Sequence, residues 1–275
     1  MSSIPFAYHD GHVHVFPAQW QRRIYQWFDQ SGWRLFYQNL LEERIWQHIR
    51  RCGADGASIL IYAHRPGVAR EMNQWLFDWA KNRPDLHLYG TVHPDDPDLS
   101  AIVTQALDEF RFAGFKIHAN VQMVRPDDPR LDPLYEAVIG RHRSVVVHAG
   151  REPHPNHYVG FQYFKNVLTR FPTLRVQVAH LGVDETDDFV TLLDQYPNVF
   201  LDTAGVPGTR LNLPDGKLEK IIQSFPNQII YGSDMPILEE SVESHRDRIW
   251  KAAASPENQR RIFRGNLERF WSGSE

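Results

Sequence analysis

The segment DGHVHVFP at 10–17 carries two histidines two residues apart, His12 and His14. On a β-strand, residues i and i+2 leave the backbone on the same face, so both imidazoles point one way and can share an ion. Val13 points the other way. A further histidine, His148, ends the run SVVVHAG, after three valines and before Ala149 and Gly150. An imidazole at the end of a buried strand is costly to desolvate, and Gly150 leaves room for a ligand or an ion to approach. Asp234 ends another apolar run, QIIYGSD, where a lone carboxylate is costly unless paired or bound to metal. Three imidazoles and one carboxylate with a position left for water form an open catalytic site for zinc or a similar divalent ion, with manganese as the alternative. His12, His14, His148 and Asp234 are therefore the expected ligands.

Such groups need elements that bring them together. Short apolar runs recur at 57–63, 86–92, 114–119, 144–150, 174–182, 198–205 and 228–236, after a weak first run at 6–8. Segments of helical period separate them, at 40–53, 69–84, 98–114, 131–143, 160–172, 184–197 and 217–226, each followed by a short Pro, Gly or Asn turn. Strict β-α alternation with short connections predicts a parallel sheet. Eight units close naturally into a (β/α)8 barrel, one domain spanning 1–275. The absence of a Gly-rich phosphate loop after the first strand disfavours a doubly wound open sheet. In such a barrel the chemistry sits where strands end. Here the ends carry His12 and His14, His64, His93, His118, His148, His180, Asp202 and Asp234. The eighth strand lies beside the first, which places Asp234 next to His12 and His14. The stretch 17–40, rich in Trp, Phe and Tyr, reads as an insertion after strand 1 covering the barrel mouth, and 256–271 as capped helices sealing the end of the chain.

Composition narrows the partners. Residues are 42% apolar and 23% charged, with a formal charge of −4 and fourteen histidines. That balance lacks the basic stripe of a nucleic-acid binder, and no apolar run is long enough for a membrane span. The single cysteine, Cys52, excludes an internal disulfide, and the first residues lack the pattern of a secretion signal, so a cytoplasmic location is expected. The expected partner is a small molecule; a homo-oligomer is left open.

Taken in order, the motifs DGHVHVF, GFKIHANVQMVRPDDPRLDPLYE, VVVHAGREP, VQVAHLG, NVFLDTAG, IIYGSDMP and FRGNLERFW resemble the amidohydrolase superfamily. The similarity is to the branch that includes aminocarboxymuconate-semialdehyde decarboxylase and pyrone-dicarboxylate lactonase, and it covers nearly the whole chain. The resemblance implies a mononuclear metal enzyme, with His12, His14, His148 and Asp234 as ligands and His180 as the catalytic histidine beside them. Other superfamily members carry a carboxylated lysine on strand 4 that bridges two ions, which makes Lys116 the residue on which a second metal would depend. Lys116 otherwise pairs with a carboxylate or helps bind an anionic substrate.

The reading that follows is a hydrolase acting on a small, carboxylate-bearing amide, ester or lactone through metal-activated water. Asp234 carries the proton, His180 steadies the developing oxyanion, and His118 and Arg151 grip a substrate carboxylate. Non-oxidative decarboxylation of an unsaturated or aromatic acid on the same residues is the alternative. A barrel that only binds a ligand is the alternative of another class.

Overall fold

The apolar runs form strands that pair in parallel and in chain order around one sheet. They are β1 (Tyr8–His14), β2 (Ala54–Leu60), β3 (Leu86–Gly90), β4 (Gly114–His118), β5 (Ser144–His148), β6 (Arg175–Val178), β7 (Val199–Asp202) and β8 (Ile229–Ile230). The computed structural model describes residues 4–151, 156–208 and 211–273; the last two residues of the VVVHAGREP motif lie outside them. Although β8 is short, hydrogen bonds continue the seam. Gly11 N–H donates to the Tyr231 carbonyl at 2.9 Å, Asp234 N–H to His12 at 2.9 Å, and His14 N–H to Met235 at 2.7 Å. A Cβ at Gly11 would stand 2.6 Å from Ile230 and 3.0 Å from the Tyr231 carbonyl, so the first and last strands approach only because no side chain is there.

Burial on both faces follows from this closure, as expected of a parallel barrel. Every residue of β1 and β5 is buried. Leu60, Tyr89, Val146, Phe200 and Ile230 meet in the interior, where Leu267 and Phe270 pack against them. The outward residues pack under the helices, which contribute Ile45, Ile49, Met72, Leu76, Leu134 and Phe164 to that larger core.

The helices are α1 (Ala18–Gln30), α2 (Glu42–Arg51), α3 (Ala69–Ala80), α4 (Leu99–Thr104), α5 (Ala119–Gln122) and α6 (Asp132–Gly140). They continue with α7 (Phe161–Arg170), α8 (Thr186–Thr191), α9 (Lys217–Ser224), α10 (Val242–Ala252), α11 (Pro256–Arg260) and α12 (Asn266–Ser272). None is long and apolar enough to cross a membrane among the described residues.

Two helices depart from the expectation. The 17–40 insertion contains α1, whose Tyr25 joins Trp33, Leu35 and Ile237 in a small core of its own. The Tyr25 hydroxyl ties this unit together by donating to the Leu40 carbonyl at 2.7 Å. Helix α10 has no sequence-based forerunner. It buries His245 and Arg246 beside Val242 and Ile249, so its inner face carries no continuous apolar stripe.

Candidate metal centre

Alternation along β1 turns His12 and His14 into the barrel, and their Nε2 atoms stand 3.1 Å apart. The other ring nitrogen of each is already committed. His12 Nδ1 lies 2.8 Å from Asp202 Oδ2, and His14 Nδ1 lies 2.9 Å from the Leu60 carbonyl. Both partners are acceptors, so both Nδ1 atoms carry the hydrogen and both Nε2 atoms present lone pairs. Burial, helped by the Lys116 charge, holds His12 down at about 3 against the pull of Asp202, so that ring is neutral at neutral pH. Asp234 adds a third donor, with Oδ1 at 3.5 Å from His12 Nε2 and 3.3 Å from His14 Nε2.

These three atoms form a triangle of lone pairs in a buried site, an arrangement that repels itself unless a cation lies among them. Ligands about 2.1 Å from one tetrahedral ion stand roughly 3.4 Å apart, so the triangle fits such an ion. Among the described residues, the ligand atoms of His12, His180 and Asp234 also lie within 4.8 Å of one another. A divalent-metal site is present.

Local backbone structure aims these groups. Asp234 adopts a left-handed conformation (φ 69°), and its N–H is tied to His12. Strand alternation does not place His180: it sits in the tight turn Ala179–Gly182 with φ 58°. Its N–H donates to Asp202 Oδ1 at 2.9 Å, and its Nδ1 meets the Ala204 carbonyl at 2.7 Å, which again leaves Nε2 facing inward. Asp202 is the hub. Its Oδ2 takes His12 and the Gln177 amide (2.5 Å), and its Oδ1 takes the N–H groups of His180 and Ala204 (3.0 Å). Burial alone raises this carboxyl, but His12 and the surrounding donors hold it well below the usual carboxylate range. Below the triangle, Asp10 Oδ1 accepts from His12 N–H (3.1 Å) and Ser233 N–H (2.9 Å), joining β1 to the segment after β8 that carries Asp234.

The remaining expected residues fall into two groups. His148 pairs with His118 across the β4–β5 register, and their rings stack at 4.3 Å. His148 also meets the edge of His180 at 4.8 Å, and His118 meets Tyr62 at 4.7 Å. Lys116 is fully buried on the same face of β4, and its Nζ has no hydrogen-bond partner among the described residues. Burial brings it down to about 8, against the pull of Asp202 and Asp234. Arg151 stands apart, 57% exposed, with Nε 3.3 Å from Glu185. His64 is exposed at the mouth, and His93 spends Nδ1 on the Asp95 N–H.

The role expected for Gly150 is corrected. A Cβ there would stand 2.4 Å from the Val183 carbonyl, so this glycine admits a neighbouring backbone rather than a ligand.

A cavity of about 520 Å³ opens beside the cluster. Helix α1 and the ends of β1 and β2 line it with Phe16, Trp20, Trp27, Phe28 and Tyr62, and His118 reaches into it. Phe16 stacks on His14 at 5.9 Å, so the aromatic wall and the cluster of inward-facing donors are continuous. The aromatic content of 17–40 signals this wall. The hub role of Asp202 has only its place at the end of β7 as a signal, and the Gln177 contact has none.

An amidohydrolase family model matches residues 9–272. The chain belongs to the amidohydrolase family. No curated protein matches it. Among solved structures, this amidohydrolase is similar to 5-carboxyvanillate decarboxylase from Novosphingobium aromaticivorans, complexed with manganese and a nitrobenzoic acid. There the identity is 16%, the TM-score 0.64, and the coverage 97% of this chain and 96% of that one. It is similar to 2,6-dihydroxybenzoate decarboxylase from Rhizobium at 15% identity and TM-score 0.67, covering 97% and 98%. It is also similar to a probable 2-pyrone-4,6-dicarboxylic acid hydrolase from Acinetobacter baumannii at 17% and 0.65, covering 97% and 99%. Family and ligand cluster together make the chain a metal-dependent enzyme.

Proposed function

We propose that this amidohydrolase is a metal-dependent, non-oxidative decarboxylase of an aromatic carboxylic acid. The observation that carries the reading is the aromatic cavity beside the lone-pair triangle of His12, His14 and Asp234, joined to it by Phe16 and Tyr62, whose rings pack on His14 at 5.9 and 5.4 Å. Tyr62, Phe16 and Trp20 offer ring faces and edges to a planar substrate and keep bulk water from the site, which favours loss of CO₂ over attack by water. The hydrolytic reading drawn from sequence takes second place. It keeps one support, the carboxylate of Asp234 beside the triangle, a group suited to taking a proton from water.

His12, His14, His148 and Asp234 are proposed to hold the ion. Zinc is favoured by the imidazoles, and manganese, present in the carboxyvanillate decarboxylase structure, is the alternative. When bound, a divalent ion supplies positive charge that draws in the substrate oxygens. The C–C bond to the carboxylate breaks, CO₂ leaves, and the electron pair stays on the ring carbon, which takes one proton. Asp234, having first taken a proton from solvent, delivers it, and His180 Nε2 faces the reacting group as hydrogen-bond partner. Lys116 stays a buried amine whose charge steadies Asp202 and Asp234; His118 stacks against the ring. Arg151 contributes to carboxylate capture only by leaving Glu185.

A panel of hydroxylated benzoates assayed for CO₂ release tests the proposal. In D₂O the product should carry one deuterium at the vacated carbon. Asp234→Asn should keep part of the metal and lose nearly all turnover. Release of no CO₂ from any of these acids, with ¹⁸O from water entering the product of a lactone or ester, would replace decarboxylation by hydrolysis. Two ions per chain with a carboxylated Lys116 in the mass spectrum would establish the binuclear form.

A further inference from the structure

At the opposite end of the barrel lies a second cavity of about 570 Å³, bounded by the residues that begin β3, by those just before β4 and β5, and by the end of α12. Its walls are apolar and aromatic. Phe77 stacks on Phe110 at 4.6 Å, and Trp271 lies flat against His87 at 3.5 Å, anchored by its Nε1–H to Ser58 Oγ at 3.0 Å. Its charge is mostly positive, with Glu268 the one carboxylate in its lining among the described residues. Lys81, Arg111 and Arg143 line it, and among the described residues none of their side chains makes an ion pair or a hydrogen bond. The carboxylates within influence are already engaged. Asp108 is clasped by Arg141 at 2.7 and 2.8 Å, and Glu268 by Arg264 at 2.8 Å and His9 at 3.2 Å. A fourth cation, Arg83, is held by Glu43.

In a chain whose formal charge is −4, three cations that make no ion pair among the described residues, gathered around an aromatic-walled hollow, are an anomaly of placement. Like charges converging where the nearby carboxylates, Asp108 and Glu268, are clasped by other cations repel one another, and an anion that brings its own ring surface relieves that repulsion while covering the apolar walls. The geometry points to a second ligand site on the barrel floor, taking a small aromatic molecule that carries a phosphate or carboxylate. The ring lies along Phe77, Phe110 and Trp271, and the anionic group meets Arg111 and Arg143, whose planar guanidinium groups suit either acid. The site shares no residue with the metal centre or its aromatic cavity.

Calorimetric titration of the metal-loaded enzyme with 1-naphthyl phosphate and with 2-naphthoate tests this and separates the two acids. Binding is expected for at least one of them, stronger than for inorganic phosphate, and it should weaken as salt is raised. Arg111→Gln combined with Arg143→Gln should weaken it by at least about tenfold, as loss of charge-assisted contacts to an anion requires. Because Arg143 is half-buried, the exposed Lys81→Gln serves as a second variant that leaves folding untouched, with an expected loss of about threefold. Turnover should be unchanged in these variants, and the floor affinity unchanged in Asp234→Asn. Absence of binding at millimolar probe overturns the inference. So does an affinity indifferent to Lys81, Arg111 and Arg143, or one lost in Asp234→Asn.

Discussion

His9 and His12 lie three residues apart on β1, both buried, yet they belong to opposite ends of the barrel and to different chemistry. His9 stands between two protein carboxylates: Nε2 hydrogen-bonds Glu268 at 3.2 Å, and Nδ1 lies 3.0 Å from Asp55. His12 spends only Nδ1, on Asp202, and turns Nε2 toward two other lone-pair donors. A histidine flanked on both sides by protein carboxylates joins elements together. One with a single nitrogen satisfied, and the other facing further donors, is prepared for an ion. Burial does not separate the two cases; the accounting of each nitrogen does.

The sharpest way to break this comparison is to remove the unsatisfied nitrogens. His12→Ala combined with His14→Ala should abolish bound metal, measured by elemental analysis, and with it all turnover. Full metal retention would mean that the lone-pair triangle is not the site. Next in size, His180→Asn should keep fold and metal while the rate falls by roughly 10² or more, as loss of a proton-transfer or oxyanion group predicts. A rate near that of the wild type would reduce His180 to a support. Asp202→Asn removes the charge that fixes His12 without touching the triangle, so metal affinity should fall by about 10–100-fold. An unchanged metal titration there would show that the His12 ring needs no anchor. The smallest effect belongs to the floor. His9→Asn should leave turnover within about twofold and cost about 1 kcal/mol or less in a denaturant melt, because its partners are half exposed. A large loss of activity in that variant would dissolve the contrast between the two ends.

Features legible in the sequence are those that depend on local periodicity. The strand runs, the common face of His12 and His14, and the placement of Asp234 beside them all follow from period-two alternation and from closing the eighth strand on the first. The structure places α1 where composition alone indicates a cover for the mouth, but its helical form is hidden because its aromatic residues face both its own small core and the cavity. Helix α10 is hidden for a related reason: His245 Nε2–H donates to the Gly232 carbonyl (3.1 Å) and Arg246 donates to the Cys52 carbonyl (2.6 Å), contacts made outside the helix itself. His180 reaches the centre through a left-handed turn that no strand pattern encodes, and the crowding behind Gly150 comes from a loop more than thirty residues later. Where a side chain's partner lies near in sequence or one register away, the sequence reveals it; where the partner arrives by closure of the barrel, it does not.

The anchors behind the inward-facing imidazoles differ in kind. His14 and His180 are steered by the carbonyls of Leu60 and Ala204, whereas His12 is steered by the carboxylate of Asp202. A main-chain oxygen is present whatever residue occupies the position, so no single codon change at Leu60 or Ala204 deletes those two acceptors. Asp202 alone is open to mutational adjustment. Drift or engineering that retunes the basicity of this centre, without replacing a ligand, therefore has one side chain through which to act on its first histidine.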